Sequence, residues 1–267
     1  MPPFEPFVKG ETICVSQMQH FSVNDGEGIR STVFLSGCPL RCRWCCNPET
    51  WTPTPKSGRL PGGKEETFGR FLTVDEVMKE LVRHTIFYRE SGGGVTWSGG
   101  EPFFFPGNLR ALVRACADRG IPQAVETTCH FDWDECADIV GLLDFVFADI
   151  KHMDGGVHER LTGIGNERIL SNLKRLGATG IDAVVRVPLL SGVNDDEQNI
   201  KRTARFVYEC FRQPKIELLP YHDFGRTKYR MLGMESFWTE FETPSKERVA
   251  FLEALIRSEG VEPVSYR

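Results

Sequence analysis

Cys38, Cys42 and Cys45 stand in a C-x3-C-x2-C spacing inside the segment GCPLRCRWCCNPE. Three thiolates within eight residues can converge from one loop onto one metal centre. A structural zinc site normally asks for a fourth Cys or His, whereas an iron-sulfur cluster held by three protein thiolates leaves one iron open to a substrate or cofactor. An open iron is a catalytic feature. Cys46 is the adjacent fourth thiol, but neighbouring residues seldom reach one tetrahedral site without strain, so it is read as a packed neighbour.

The other residue types suited to chemistry follow short β-branched or aromatic runs. Gly99, Gly100 and Glu101 lie in SGGEP, Glu126 in ETT, Asp149 and Lys151 in DIK, Arg186 in VVRVP and His222 in LLPYH. Charged residues at strand ends are often solvated caps, yet two acids and a lysine at successive strand ends favour a functional rim. An isolated GGE reads as a turn, a lone histidine as structural, and Arg186 equally as half of a buried salt bridge.

Six strands are expected to position these groups, at 31–36, 94–98, 123–128, 145–151, 182–189 and 215–221. Helical patterns alternate with them at 73–89, 108–118, 133–142, 167–176 and 195–211, the first opened by a Thr73/Glu76 capping box. Such alternation predicts an α/β fold of parallel strands covered by helices. Six units make a partial (β/α)6 TIM-like barrel, with its site at the C-terminal ends of the strands. The segment 52–69, rich in Pro, Gly and charge, is predicted to be an exposed loop, and 244–260 an amphipathic helix that caps the fold.

Composition narrows the classes. With 32 basic and 37 acidic residues and no dense Lys/Arg run, nucleic acid is not an expected partner. The N-terminal stretch 1–11 carries no apolar core of signal-peptide length, and no run is long enough to span a bilayer, so no membrane partner and a cytoplasmic place are expected. Nine cysteines, four of them clustered at 38–46, fit metal ligation in a reduced compartment better than a disulfide framework.

From about Val15 to Gly233 the chain resembles the radical S-adenosylmethionine superfamily, and within it the activating enzymes of glycyl-radical enzymes. The segments that carry this are FSVNDGEGIRSTVFLSGCPLRCRWCCNPE, GGGVTWSGGEP, DIKHMD, LTGIGNERILSNLKRL, RVPLLSGVND and ELLPYHDFGRTKY. The resemblance implies a single radical SAM domain over 1–267, with its core at about 11–233. It implies one [4Fe-4S] cluster on Cys38, Cys42 and Cys45, with S-adenosylmethionine as cofactor. Trp44 would pack near the adenine, unless it is simply a core tryptophan. The glycines Gly99 and Gly100 would admit the methionine amino group, with Glu101 completing that contact. Glu126, Asp149 and Lys151 would hold the ribose and the sulfonium end, and Arg186 and His222 would lie beside the cofactor; Glu126 stands where many relatives carry Asp. Asp25, Gly26 and Arg30 belong to a loop that would meet the glycine-bearing peptide of the partner, although a plain tight turn is the other reading.

The implied reaction is reductive cleavage of S-adenosylmethionine to a 5'-deoxyadenosyl radical, which takes a hydrogen from a glycine Cα of a glycyl-radical enzyme. The electron would come from a flavodoxin or ferredoxin, and the chain would act as a monomer under anaerobic conditions. No cysteine falls between Asn47 and Ala115, so the ferredoxin-like insert of the diol dehydratase or decarboxylase activases is absent there and the compact pyruvate formate-lyase type of layout is favoured. The alternatives are a radical SAM enzyme acting on a small molecule, or a non-enzymatic iron-sulfur electron carrier. The second leaves the GGEP, DIK and PYH segments unexplained.

Overall fold

The computed structural model describes residues 12–266; the expectation for 1–11 lies outside the described residues. β1 (Thr12–Ser22) and β2 (Arg30–Leu35) form an antiparallel pair. β3 (Lys56–Arg59) and β4 (Glu65–Phe68) make a separate hairpin, and β5 (Arg70–Thr73) pairs with β1. α1 (Val74–Leu81), a 3-10 turn (Val82–His84) and α2 (Thr85–Ser91) lead into β6 (Gly94–Gly99). Then come α3 (Pro106–Ala117), β7 (Gln123–Thr127), α4 (Trp133–Val140), β8 (Phe145–Asp149), α5 (Gly155–Thr162) and α6 (Glu167–Thr179). The chain closes with β9 (Asp182–Leu189), α7 (Glu197–Cys210), β10 (Lys215–Pro220), α8 (Arg226–Met231), α9 (Lys246–Ser258) and β11 (Glu262–Pro263).

The large sheet runs β11-β10-β9-β8-β7-β6-β2-β1-β5. From β2 to β10 every neighbouring pair is parallel and in chain order, the arrangement of a partial (β/α)6 barrel. Such strands are covered on both faces, which is why β6 reads Gly-Val-Thr-Trp-Ser-Gly with Val95, Thr96 and Trp97 all at 0% exposure. The Trp97 indole N–H donates to Gln123 Oε1 at 3.0 Å, and Gln123 Nε2 donates to the Val113 carbonyl, so this polar pair is satisfied inside the core. On α3 the spacing Leu109, Leu112, Val113, Cys116 presents one fully buried face to the sheet. Each of its three aliphatic side chains contributes about 1.5–3 kcal/mol of burial.

The six expected strands sit within a residue or two of the observed ones. The Thr73/Glu76 capping box is present, but the helix expected over 73–89 breaks at the 3-10 turn Val82–His84. The segment 52–69 is exposed chiefly at 61–67, with Pro53 buried, and it is not irregular, because β3 and β4 pair within it. α9 fills the place of the predicted C-terminal helix, capped by Ser245 and burying Leu252 and Ile256 in the main core. All nine cysteines are free thiols. No described helix is long and apolar enough to cross a membrane.

Candidate active site

The C-terminal ends of β6 to β10 and the loop after β2 surround a cavity of about 370 Å³, within the size range of ligand pockets. Cys38, Cys42 and Cys45 line it, together with Trp44, Gly99, Gly100, Glu126, Asp149, Lys151, Arg186 and His222. The structure thus brings together the cysteines and most of the cofactor-side residues singled out from the sequence, but not Glu101, Asp25, Gly26 or Arg30.

The cysteine loop is held from several sides. Gly37 N–H donates to the Thr50 carbonyl at 2.7 Å, Arg41 N–H to the Thr162 carbonyl and Arg43 N–H to the Leu161 carbonyl. Arg41 also donates to the Cys38 and Leu40 carbonyls and stacks over the Trp51 ring. Behind the loop, Lys228 of α8 donates to Asn47 Oδ1 at 2.7 Å and Glu49 Oε1 at 2.6 Å. Gly99 (φ +110) and Gly100 belong to this packing as well. A Cβ on Gly99 would lie 2.4 Å from the Leu35 carbonyl oxygen, and one on Gly100 2.3 Å from that of Gly37. Only glycine lets the end of β6 touch the cysteine loop this closely.

Burial raises all three thiol pKa values, that of Cys42 to about 12. Without a cation these sulfurs stay protonated, so the pocket suits them as thiolates only around a metal centre. Three cysteines lining one cavity are the donor set of an iron-sulfur cluster, and the Asn47 N–H that donates to Cys45 Sγ at 3.4 Å is the kind of hydrogen bond that tunes such clusters.

Beside the sulfurs, Lys151 Nζ pairs with Asp149 Oδ2 at 2.5 Å. Burial disfavours this ammonium, but Asp149 and the Cys42 sulfur outweigh it and its pKa is raised. Deeper in the barrel, Arg186 bonds Glu126 on one side and Glu217 at 2.8 Å on the other, while its guanidinium lies 3.5 Å over the Phe147 ring. Burial pushes the Glu126 carboxyl up, and Arg186 is the chief opposing influence. Ser98 Oγ donates to the second Glu126 oxygen at 2.5 Å. Both readings of Arg186 therefore hold: it lines the cavity and it is a buried salt bridge. Trp44 is likewise 7% exposed, packed with Leu161, Leu190 and Tyr221, and still on the cavity wall.

Glu101 is a correction. Its carboxylate accepts from Thr127 Oγ1, the Thr128 N–H, Thr128 Oγ1 and the Phe103 N–H, and it is 1% exposed, so it ties β6 to β7 instead of facing the cavity. In the loop expected to meet a partner peptide, the Asp25 and Arg30 side chains also turn inward, while Val23, Asn24 and Glu27 stay exposed. Asp25 accepts from Ser22 Oγ and Thr32 Oγ1, and Gly26 (φ +126) packs against the Arg30 side chain. Arg30 is 5% exposed, with its guanidinium on Thr96 Oγ1, the Val95 carbonyl and the Glu27 carbonyl. It is a strut of the barrel and not a surface contact. Cys46 lies 3.9 Å from both His222 ring nitrogens, beside the cluster loop.

Sequence reasoning missed the residues that fix this geometry. Asn194 donates to the Lys151 and Pro188 carbonyls and accepts from the Leu190 N–H, and Asn199 donates to the Asn194 carbonyl. Asparagines at a strand-to-helix turn were the available signal, but their targets are fixed only by the fold. Glu217 hides in an apolar run, IELLP, where a lone acid announces a buried partner.

The Radical SAM superfamily model matches residues 32–204. The isethionate sulfite-lyase activating enzyme of Nitratidesulfovibrio vulgaris is 35% identical, covering 90% of this chain and 93% of that protein. The pyruvate formate-lyase-activating enzyme of Clostridium pasteurianum is 32% identical, covering 91% and 96%. The crystal structure of a domain of the pyruvate-formate lyase-activating enzyme from Bacteroides vulgatus superposes with a TM-score of 0.56 at 33% identity, over 65% of this chain and 98% of that one. With thiols, paired charges and cavity in the same barrel, the chain belongs to the radical SAM superfamily and, within it, to the activating enzymes of glycyl-radical enzymes.

Proposed function

We propose that this single-domain chain installs a glycyl radical in a partner enzyme. The observation that carries the reading is the convergence of three half-buried cysteines with the Lys151–Asp149 and Arg186–Glu126 pairs around one cavity. When bound, a [4Fe-4S] cluster and S-adenosylmethionine supply one-electron cleavage of the sulfonium bond and, through the 5'-deoxyadenosyl radical, removal of a hydrogen from a glycine Cα.

The chain's own residues bind and orient. Cys38, Cys42 and Cys45 hold the cluster through thiolates, and Cys46 stands by without ligating. Lys151, kept charged by Asp149, offsets the negative charge that three thiolates bring. Trp44 offers its face to the adenine, and the backbone at Gly99 and Gly100 lies open to the methionine end. Glu126, fixed by Ser98 and Arg186, and Asp149 accept from ribose hydroxyls, while His222 borders the rim. The loop at Asp25 and Gly26, next to exposed Val23 and Asn24, meets the glycine-bearing segment through its backbone, with Arg30 bracing it from within. A flavodoxin or ferredoxin delivers the electron, and the enzyme works as a monomer in the cytoplasm.

The test is anaerobic incubation of the cluster-loaded, reduced protein with S-adenosylmethionine and a candidate glycyl-radical enzyme. A glycyl doublet in the partner's EPR spectrum, with 5'-deoxyadenosine formed in step, supports the reading. Cofactor cleavage with no radical on any such partner, but with turnover of a small molecule, overturns it in favour of the small-molecule alternative.

A further inference from the structure

Outside the cavity, a second set of metal-competent side chains is gathered where β1 meets the break between α1 and α2. His20 stands near the end of β1, Glu80 in the last turn of α1, and His84 four residues on, at the end of the 3-10 turn. One ligand atom from each lies within 4.8 Å of the others. His20 Nε2 is 3.9 Å from Glu80 Oε1, and the two imidazole rings stack with centroids 4.0 Å apart. None of the three lines the cysteine cavity.

Two local distortions frame the group. The helix breaks into a 3-10 turn at Val82–His84, and such mid-helix turns commonly mark functional positions. Phe21, next to His20, has φ +61, a costly left-handed backbone for a bulky side chain. That turn sets the Phe21 ring edge-on to His84 and Phe87. His20 is also oriented from behind: its Nδ1 lies 2.8 Å from Ser31 Oγ, which accepts from the Tyr88 hydroxyl at 2.6 Å. With Nδ1–H donating to Ser31, Nε2 presents its lone pair towards Glu80 and His84, the arrangement that fixes metal-binding histidines elsewhere.

We infer that His20, Glu80 and His84 form a binding site for a borderline divalent transition-metal ion of the zinc type, clipping the end of β1 to the α1–α2 turn. Two imidazoles and one carboxylate are a donor set such ions favour. Bonds of about 2.0–2.1 Å place neighbouring donor atoms roughly 3.3 Å apart. Closure from the observed 3.9 Å asks a small rotation of Glu80, whose side chain is 37% exposed, and a turn of the half-buried His84 ring out of its stack on His20, because an imidazole lone pair lies in the plane of its ring. Arg83 Nη1 contacts both Glu80 oxygens, Oε2 at 3.2 Å and Oε1 at 3.5 Å, so binding the ion through Oε1 shifts this exposed guanidinium onto Oε2 alone. A hollow of about 300 Å³ reaching His20 and Glu80 has room for a water as the remaining ligand.

The probe is zinc itself, titrated from a chelator buffer into the cluster-loaded protein, with bound zinc counted per chain and the thermal midpoint followed. The site predicts one zinc per chain, a rise in midpoint with zinc, and unchanged cluster EPR. In His84→Ala and His20→Ala, zinc affinity falls at least about tenfold and the rise disappears. His84→Ala removes a partly exposed ring and keeps the test readable if His20→Ala folds poorly. No zinc bound at micromolar free concentration, or binding unchanged in His84→Ala, overturns the site.

Discussion

Arg186→Met removes the cation that bonds both Glu126 and Glu217 while keeping an apolar stem over Phe147. The side chain of Glu217 is 0% exposed and that of Glu126 24%, so water recovers little of the lost interaction. Removing one partner of a buried ion pair costs about 3–5 kcal/mol. Here the Tyr266 N–H still donates to Glu217 and Ser98 Oγ to Glu126, which favours the lower half of that range. For a chain of this size, about 2–4 °C of thermal midpoint accompanies each kcal/mol, so a fall of roughly 6–15 °C is expected near pH 8. The loss must also depend on pH. Burial already raises the Glu126 carboxyl, and deleting Arg186 raises it further. A carboxyl with a raised native pKa contributes stability that is fully present below its unfolded value of about 4.3 and is lost as pH rises through the native value. The variant is therefore closer to wild type at about pH 5.5 than at about pH 8. Anaerobic thermal unfolding of both proteins at the two pH values reads this directly. A fall under about 2 °C, or an equal fall at both, would refute the buried-charge account.

Three further outcomes follow from the cysteine loop. Gly225→Ala places a Cβ 2.9 Å from the Cys45 carbonyl and 3.1 Å from Cys46 Cα at a φ of -66 that alanine accepts, so iron bound per chain falls through sterics alone; unchanged iron content contradicts it. Lys228→Met leaves Glu49, 5% exposed and with Oε2 already lacking a hydrogen-bond partner, buried without its cation. About 2–4 kcal/mol is lost, and adding Glu49→Gln restores part of it in thermal unfolding; no recovery in the double variant breaks the assignment. Cys46→Ala keeps its iron and its cofactor cleavage within about twofold, as expected of a small packed residue, whereas loss of the cluster would make Cys46 a ligand.

The order of elements was readable because parallel strands buried on both faces leave unbroken apolar runs, as at Val184–Val185 and Val146–Phe147. The site was readable because barrel chemistry collects at strand ends, where Asp149, Lys151 and Glu126 stand. What escaped depends on rotation and on long-range partners. Spacing places Glu101 at a strand end but says nothing of the Thr127 and Thr128 hydroxyls that turn its carboxylate away. Arg30 reads as a surface cation until Thr96 and the Val95 carbonyl, sixty-odd residues on, claim its guanidinium. α5 begins on two glycines and has no propensity to announce it; the Asp154 side chain that accepts the Val157 N–H starts it and Gly163 in the left-handed region ends it. The hairpin in 52–69 is short and exposed, so no apolar alternation marks it.

The most direct test of the central claim is EPR of the anaerobically reconstituted, reduced protein with and without S-adenosylmethionine. The account predicts a [4Fe-4S] signal that shifts when the cofactor binds and is lost in Cys38→Ala, Cys42→Ala or Cys45→Ala. A signal that ignores the cofactor, or a cluster that survives loss of any one of these thiols, would contradict it.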